Sequence, residues 1–226
     1  MPFDPFGDFD TRGYLHNSRG YKTTSAVKRF EHREYYKKIQ LARDYLTNTG
    51  VIDYPALRET HRILFSTVYP WAGQDRAALR VETAIVKGRL HFASPDQIER
   101  LAAQALTLAN DPAIMARQPG LVLGDLAYAH PFLEGNGRSF LAVLTELACR
   151  AAISIDWRAI PLRHYLSALT KEIVLPGEGH LDTVLAPYIR QNPDGAIIAQ
   201  HQPVFTSPDR ATRALANPAS VRRSTS

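Results

Sequence analysis

The densest concentration of reactive side chains lies in nine consecutive residues, His130-Pro131-Phe132-Leu133-Glu134-Gly135-Asn136-Gly137-Arg138. An imidazole, a carboxylate and a guanidinium stand within a few residues of two glycines. Gly135 and Gly137 admit positive backbone torsions and leave no side chain between main-chain N–H groups and a ligand. The unpaired N–H groups of a helix beginning here, at the positive end of its dipole, complete a concave anion site for which phosphate oxygens are natural guests. Arg138 adds a forked, permanently charged donor, and Glu134 at the rim offers a hard oxygen to a Mg²⁺ ion accompanying a nucleotide. On the opposite lip, His130 can take a proton from an attacking hydroxyl near neutral pH, which makes general base its most economical role. Phe132 is expected to point inward and hold the loop on the core.

Each of these residues taken alone has an ordinary explanation: a helix-ending histidine, a Gly-Asn-Gly turn, a solvated arginine. Their coincidence in one turn is harder to dismiss. Other motif classes fail here, because Gly135-Asn136-Gly137 lacks the third glycine and the preceding strand of a dinucleotide site. The chain also contains no Walker sequence, nucleophile elbow or His-Glu-x-x-His. Of the eight histidines, only His130 has such neighbours in sequence.

The elements that must position this loop are mostly helical. Val27, Phe30, Tyr35, Ile39, Ala42 and Leu46 recur at helical intervals, with Asn48 and Gly50 as stop signals. Asp53 and Pro55 open a second helix whose Leu57, His61, Leu64, Phe65 and Val68 share a face. Alternation through Val81, Thr83 and Ile85, a break at Lys87-Gly88, then Leu90 and Phe92 predicts a short hairpin flap. Ser94-Pro95-Asp96-Gln97 signals another helix start, running to about Asn110. A helix from Leu121 to about Ala129 delivers His130, and Phe140, Leu144, Leu147, Ala148 and Ala151 form the core stripe of the helix that follows. Two more helices, near Leu162–Ile173 and Leu181–Ile189, complete an all-α bundle over residues 25–190. Residues 1–24 read as an irregular arm, and 191–226 as an extension, flexible from about Ser207.

Composition restricts the function classes. The 226 residues carry 27 basic and 22 acidic side chains. Arg210, Arg213, Arg222 and Arg223 against Asp209 place +3 of the net +5 in the last twenty residues, leaving +2 for the body. A nearly neutral body lacks the broad cationic face that nucleic acid requires, so no nucleic-acid partner is expected. No run approaches the ~20 apolar residues of a membrane span, and the start MPFDPFGDFD is not a secretory signal. Cys149, the single cysteine, cannot form an internal disulfide, and a reducing compartment is the expectation.

The His130–Arg138 segment resembles the signature of the Fic family, H-x-F-x-[DE]-G-N-G-R-x-x-R, and matches it at every position through Arg138. Leu64-Phe65 leading to Tyr69-Pro70-Trp71-Ala72-Gly73 and Arg76, then Lys87-Gly88 ahead of Phe92, resemble the family's upstream helix and flap, so the likeness runs from about Phe9 to Ile189. It implies a compact, mostly helical Fic fold and transfer of AMP from MgATP to a Ser, Thr or Tyr hydroxyl of a target protein. It also implies His130 as general base, Glu134 as the Mg²⁺ ligand, and Gly135, Asn136, Gly137 and Arg138 as phosphate contacts. The flap residues Ile85, Val86, Lys87 and Gly88 would align the target segment by strand-like pairing.

One position departs from the pattern: the second arginine, which in typical members holds the γ-phosphate, is Leu141 here. Losing that contact implies weaker turnover, another donor such as UTP, GTP or a phosphocholine carrier, or a module that binds without turnover. The family's self-inhibitory motif, [ST]-x-x-x-E-[GN], is absent, since only Glu134 and Glu178 precede Gly and the residues four before them are His130 and Val174. The resemblance therefore implies either a bacterial toxin held in the cytoplasm by a separate small antitoxin or an effector delivered into a host cell by a secretion system.

Overall fold

The computed structural model describes residues 16–81, 86–87 and 90–192, with only the backbone described at 86–87. Most of the expected arm, the flap residues Ile85 and Gly88, and the extension beyond Asn192 lie outside the described residues.

Among the described residues eight helices dominate: α1 (Thr24–Thr47), α2 (Tyr54–Phe65), α3 (Ile98–Ala109), α4 (Pro112–Arg117), α5 (Pro119–Ala129), α6 (Asn136–Arg150), α7 (Leu162–Val174) and α8 (His180–Leu185). The mostly helical class expected from the sequence is observed. The α1 stripe is buried at Val27, Phe30, Tyr35, Ala42 and Leu46. The Asp53 side chain caps α2 through the Ala56 N–H at 2.9 Å, satisfying one of the orphan donors of the first turn. Leu57, His61, Leu64 and Phe65 then turn inward together with Val68 just beyond the helix.

The core centres on α6, which packs against α1, α2, α4 and α5, while α5 also meets α3, α7 and α8. Phe140, Val143, Leu144 and Leu147 of α6 are buried against these neighbours. Both segments flanking the reactive loop are therefore held rigidly: α5 delivers its start and α6 its end.

Two short antiparallel ribbons accompany the helices among the described residues. In the flap, β1 (Val86–Lys87) pairs with β2 (Leu90–His91) in the register Val86 to His91 and Lys87 to Leu90. The second ribbon, β3 (Ile153–Ile155) with β4 (Ile189–Gln191), was not expected. The helix predicted to reach Ile189 ends at Leu185. A short 3₁₀ turn containing Pro187 follows, and the chain then extends to pair with β3. Pro187 cannot continue an α-helical ladder, and the non-local partner determines what replaces it. The start at Ser94 is likewise a 3₁₀ turn, Pro95–Gln97, before α3, and Ser94 makes no side-chain cap bond.

Candidate active site

Helix α5 ends on His130, which adopts the left-handed conformation at φ 42° and ψ 57°. That conformation is uncommon outside glycine and requires surrounding contacts to hold it. Arg76 supplies them. Its fully buried guanidinium donates from Nε to the His130 carbonyl at 2.8 Å and from Nη2 to the carbonyls of Ala93 and Ala129 at 2.7 and 3.2 Å. Its own N–H donates to the Pro131 oxygen at 2.8 Å. A cation at the negative end of α5 is favourable, although burial pulls its pKa down to about 10.

Asn136 organises the loop from the other side. Its carboxamide oxygen accepts the Phe132 N–H at 2.9 Å and its nitrogen donates to the Phe132 carbonyl at 2.6 Å, which fixes the amide's orientation. The same nitrogen lies 3.3 Å from His130 Nε2. An N–H facing Nε2 makes that ring atom the one carrying a lone pair. The Asn136 side chain is thus turned into the loop, and Phe132 is fully buried, as expected.

Gly135 caps α6 at φ 83°, and a Cβ there would lie 2.6 Å from Cε2 of Phe65. Only glycine satisfies both the torsion and the close approach of that ring. A Cβ on Gly137 would meet nothing within 4 Å, so its backbone is open to an approaching group. The first main-chain bond of α6 comes from the Ser139 N–H, to Gly135 O at 3.0 Å, so the amides of Asn136, Gly137 and Arg138 precede the helical ladder.

His130, Glu134, Gly135, Asn136 and Gly137 line one end of a cavity of about 170 Å³. Leu90 and Phe92 from the flap side close it, and α5 and α7 form an apolar far end with Leu123, Leu166, Tyr165 and Thr170. The cavity therefore pairs a polar, helix-capped mouth with an apolar slot. Tyr165 belongs to that slot, whereas Trp157 is a core residue outside the lining.

Arg138 faces elsewhere. Its Nη2 donates to Glu31 of α1 at 2.6 Å, and its guanidinium lies 4.7 Å from the Phe65 ring centroid and 5.5 Å from that of Tyr35. Burial alone would lower its pKa, but the carboxylates of Glu31 and Glu134 outweigh that and raise it. Nη1 is buried without a hydrogen-bond partner, which leaves one donor direction unused. Leu141, one turn on, is buried in the core and brings no charge.

Glu134 is held by its own loop, with Oε1 accepting the Gly135 N–H at 3.0 Å, and by Lys28 of α1, whose Nζ lies 2.8 Å from Oε2. Among the described residues no cluster of three or more His, Cys, Asp or Glu is present. One carboxylate beside a polyphosphate nevertheless matches how Mg²⁺ is commonly held, with phosphate and water oxygens completing its shell. The residues present thus fit such an ion if a nucleotide supplies the remaining ligands.

The sequence places His61 on a helix face and Tyr69 and Arg76 in the family-like upstream segment, but it gives none of them, nor Glu31 or Lys28, a contact with the loop. His61 is fully buried, its Nδ1 accepts the Gly73 N–H at 2.9 Å, and its Nε2 therefore carries the proton donated to Glu134 O, also at 2.9 Å. Its ring stacks on Phe132 with 3.8 Å between centroids. Burial pushes its pKa down to about 3, so it stays neutral. The one available signal was its place on the apolar face of α2.

In this small helical bundle a left-handed histidine closes one helix and a glycine-rich turn opens the next, beside one cavity. A profile of the Fic/DOC family matches residues 51–148. The chain is 32% identical over 163 residues to protein adenylyltransferase VbhT of Bartonella schoenbuchensis, a match covering 68% of this chain and 32% of that protein. It is 33% identical over 131 residues to the probable protein adenylyltransferase y4lH of Sinorhizobium fredii, covering 54% of this chain and 66% of that one. The fold is similar, at a TM-score of 0.62 and 19% identity, to BepC of Bartonella tribocorum solved with bound AMPPNP, covering 80% of this chain and 97% of that one. The chain belongs to the Fic/DOC family. It spans about a third of the length of VbhT and 66% of y4lH. Among the described residues no helix is long and apolar enough to cross a membrane.

Proposed function

We propose that this protein is a protein adenylyltransferase that transfers AMP from ATP to a Ser, Thr or Tyr hydroxyl of a target protein. The observation carrying this reading is that His130, with Nε2 as its lone-pair nitrogen, and the open backbone at Gly137 line one cavity. A nucleotide with its base in the apolar slot between α5 and α7 would lay its phosphates against the start of α6. The adenylyltransferase relatives and the AMPPNP-bound fold neighbour support ATP as donor.

His130 Nε2 removes the proton from the target hydroxyl, whose oxygen bonds to the α-phosphorus. The bond from that phosphorus to the bridging oxygen breaks and pyrophosphate leaves, giving a phosphodiester-linked AMP on the target. The Asn136 N–H, which faces the single lone pair of Nε2 at 3.3 Å, gives way to the target hydroxyl for this step, and the amides at the start of α6 receive phosphate oxygens. A bound Mg²⁺ supplies charge neutralisation for the phosphates, and Glu134 is the residue that would hold it. The flap, with Ile85 and Gly88 outside the described residues, presents the target segment.

The test is mass spectrometry of candidate targets incubated with MgATP, comparing wild type with His130→Ala. An AMP increment with wild type that is lost in the variant, with ATP binding retained in both, supports the reading. Identical target masses under proven ATP binding overturn it.

The buried Leu141 favours a second reading, in which the terminal-phosphate region accepts a different diphosphate-containing donor. Competition binding among ATP, GTP, UTP and a phosphocholine carrier separates the two.

A further inference from the structure

Four side chains from two distant segments close a ring of alternating charge behind the loop. Lys28 Nζ lies 2.8 Å from Glu134 and 3.4 Å from Glu31, while Arg138 Nη2 lies 2.6 Å from Glu31 and 3.7 Å from Glu134. The ring is largely enclosed. Side-chain exposure is 8% for Lys28, nil for Glu31, 12% for Arg138 and 21% for Glu134, so only the Glu134 corner opens toward the cavity. Two cations and two anions leave it close to neutral.

The two oxygens of Glu134 are not equivalent. Oε1 is engaged by the loop's own Gly135 amide at 3.0 Å, whereas Lys28 faces Oε2. A divalent ion bonding Oε2 at about 2.1 Å would stand roughly four ångströms from the ammonium on the same oxygen, a like-charge contact that favours loss of one of the two. Adding two positive charges to a ring that is already neutral is unfavourable unless new anions arrive with them.

We infer that Lys28 sets the cation affinity of this site: its ammonium competes with the divalent ion for Glu134 Oε2, so the ion enters only together with a polyphosphate. The inference rests on the reading of Glu134 as cation ligand. Glu31 keeps Arg138 on Oε1 and the Tyr69 hydroxyl on Oε2 when Lys28 withdraws, so release of the lysine does not strand the buried carboxylate. The arrangement makes α1 a participant in the site rather than a scaffold for it.

Mn²⁺ binding to the full chain, read by electron paramagnetic resonance with the non-hydrolysable analogue AMPPNP present, tests this without turnover. Lys28→Met and Lys28→Gln are expected to tighten Mn²⁺ at least tenfold, and Lys28→Arg, which keeps the charge, to stay within twofold of wild type. Two truncations guard against one that folds poorly. Unchanged or weaker Mn²⁺ affinity in the truncations overturns the inference when Glu134→Gln still loses Mn²⁺. A Glu134→Gln variant that binds Mn²⁺ as well as wild type overturns the reading of Glu134 itself, and the inference with it.

Discussion

The Nε of Arg76 donates to the main-chain oxygen of His130 across 2.8 Å, joining residues 54 positions apart. The guanidinium serves as the C-terminal cap of α5, and its three carbonyl acceptors hold the histidine backbone in a conformation that it would otherwise leave. Arg76→Met removes these donors from buried oxygens and is expected to cost about 3 kcal/mol. Urea unfolding should show the loss, and activity per folded molecule should fall as well, because His130 is released. A variant as stable as wild type would show that the cap is dispensable.

Stability should depend on His61 below neutral pH. Its folded-state pKa of about 3 lies below the ordinary histidine value, so between the two the unfolded chain binds a proton that the folded protein refuses. The stabilisation is therefore complete above about pH 6.5 and declines as the pH falls toward 3, by about 1.4 kcal/mol per unit for one proton. Denaturant titrations at pH 7, 5 and 4 should show a steeper decline in wild type than in His61→Gln. Parallel declines would remove His61 as the cause.

The two loop glycines should separate structure from binding. Gly135→Ala meets the Phe65 ring and an unfavourable torsion, so it should lower the melting temperature by several degrees, for a cost of about 1–3 kcal/mol. Gly137→Ala meets nothing in the protein and is expected to fold normally while weakening ATP binding, measured by calorimetry. Full ATP affinity in Gly137→Ala would argue against phosphates lying on that backbone.

Glu31 should be needed for folding more than its distance from the loop suggests. It is fully buried and takes both the Tyr69 hydroxyl and Arg138. Glu31→Ala leaves a buried guanidinium without its main counter-ion, and a loss of about 3–5 kcal/mol is expected by chemical denaturation. Glu31→Gln, which keeps an acceptor, should lose less. Equal losses would mean that the hydrogen-bond acceptor contributes little beside the charge.

Much was legible in the sequence because it is local. The helical faces of α1, α2 and α6 follow from apolar residues three and four apart, and the nine-residue segment holds its whole vocabulary within one turn. Asp53 and Pro55 mark the start of α2 by the chemistry of orphan amides. Other features were not legible. The β3–β4 ribbon joins strands more than thirty residues apart, and neither strand has enough residues to display a period.

The sequence alone determined which groups the loop carries and that helices flank it, since short-range periodicity and torsional freedom are properties of neighbouring residues. It could not determine what each group faces. Arg138 reads as a phosphate contact, and nothing near it in the chain tells that α1 also brings Glu31 against it from 107 positions away; His61 reads as a core residue until its ring meets the carbonyl of Glu134. Only tertiary packing decides such pairings, because a buried charge or N–H takes the partner that the fold places within about three ångströms, and that partner need not be near in the chain.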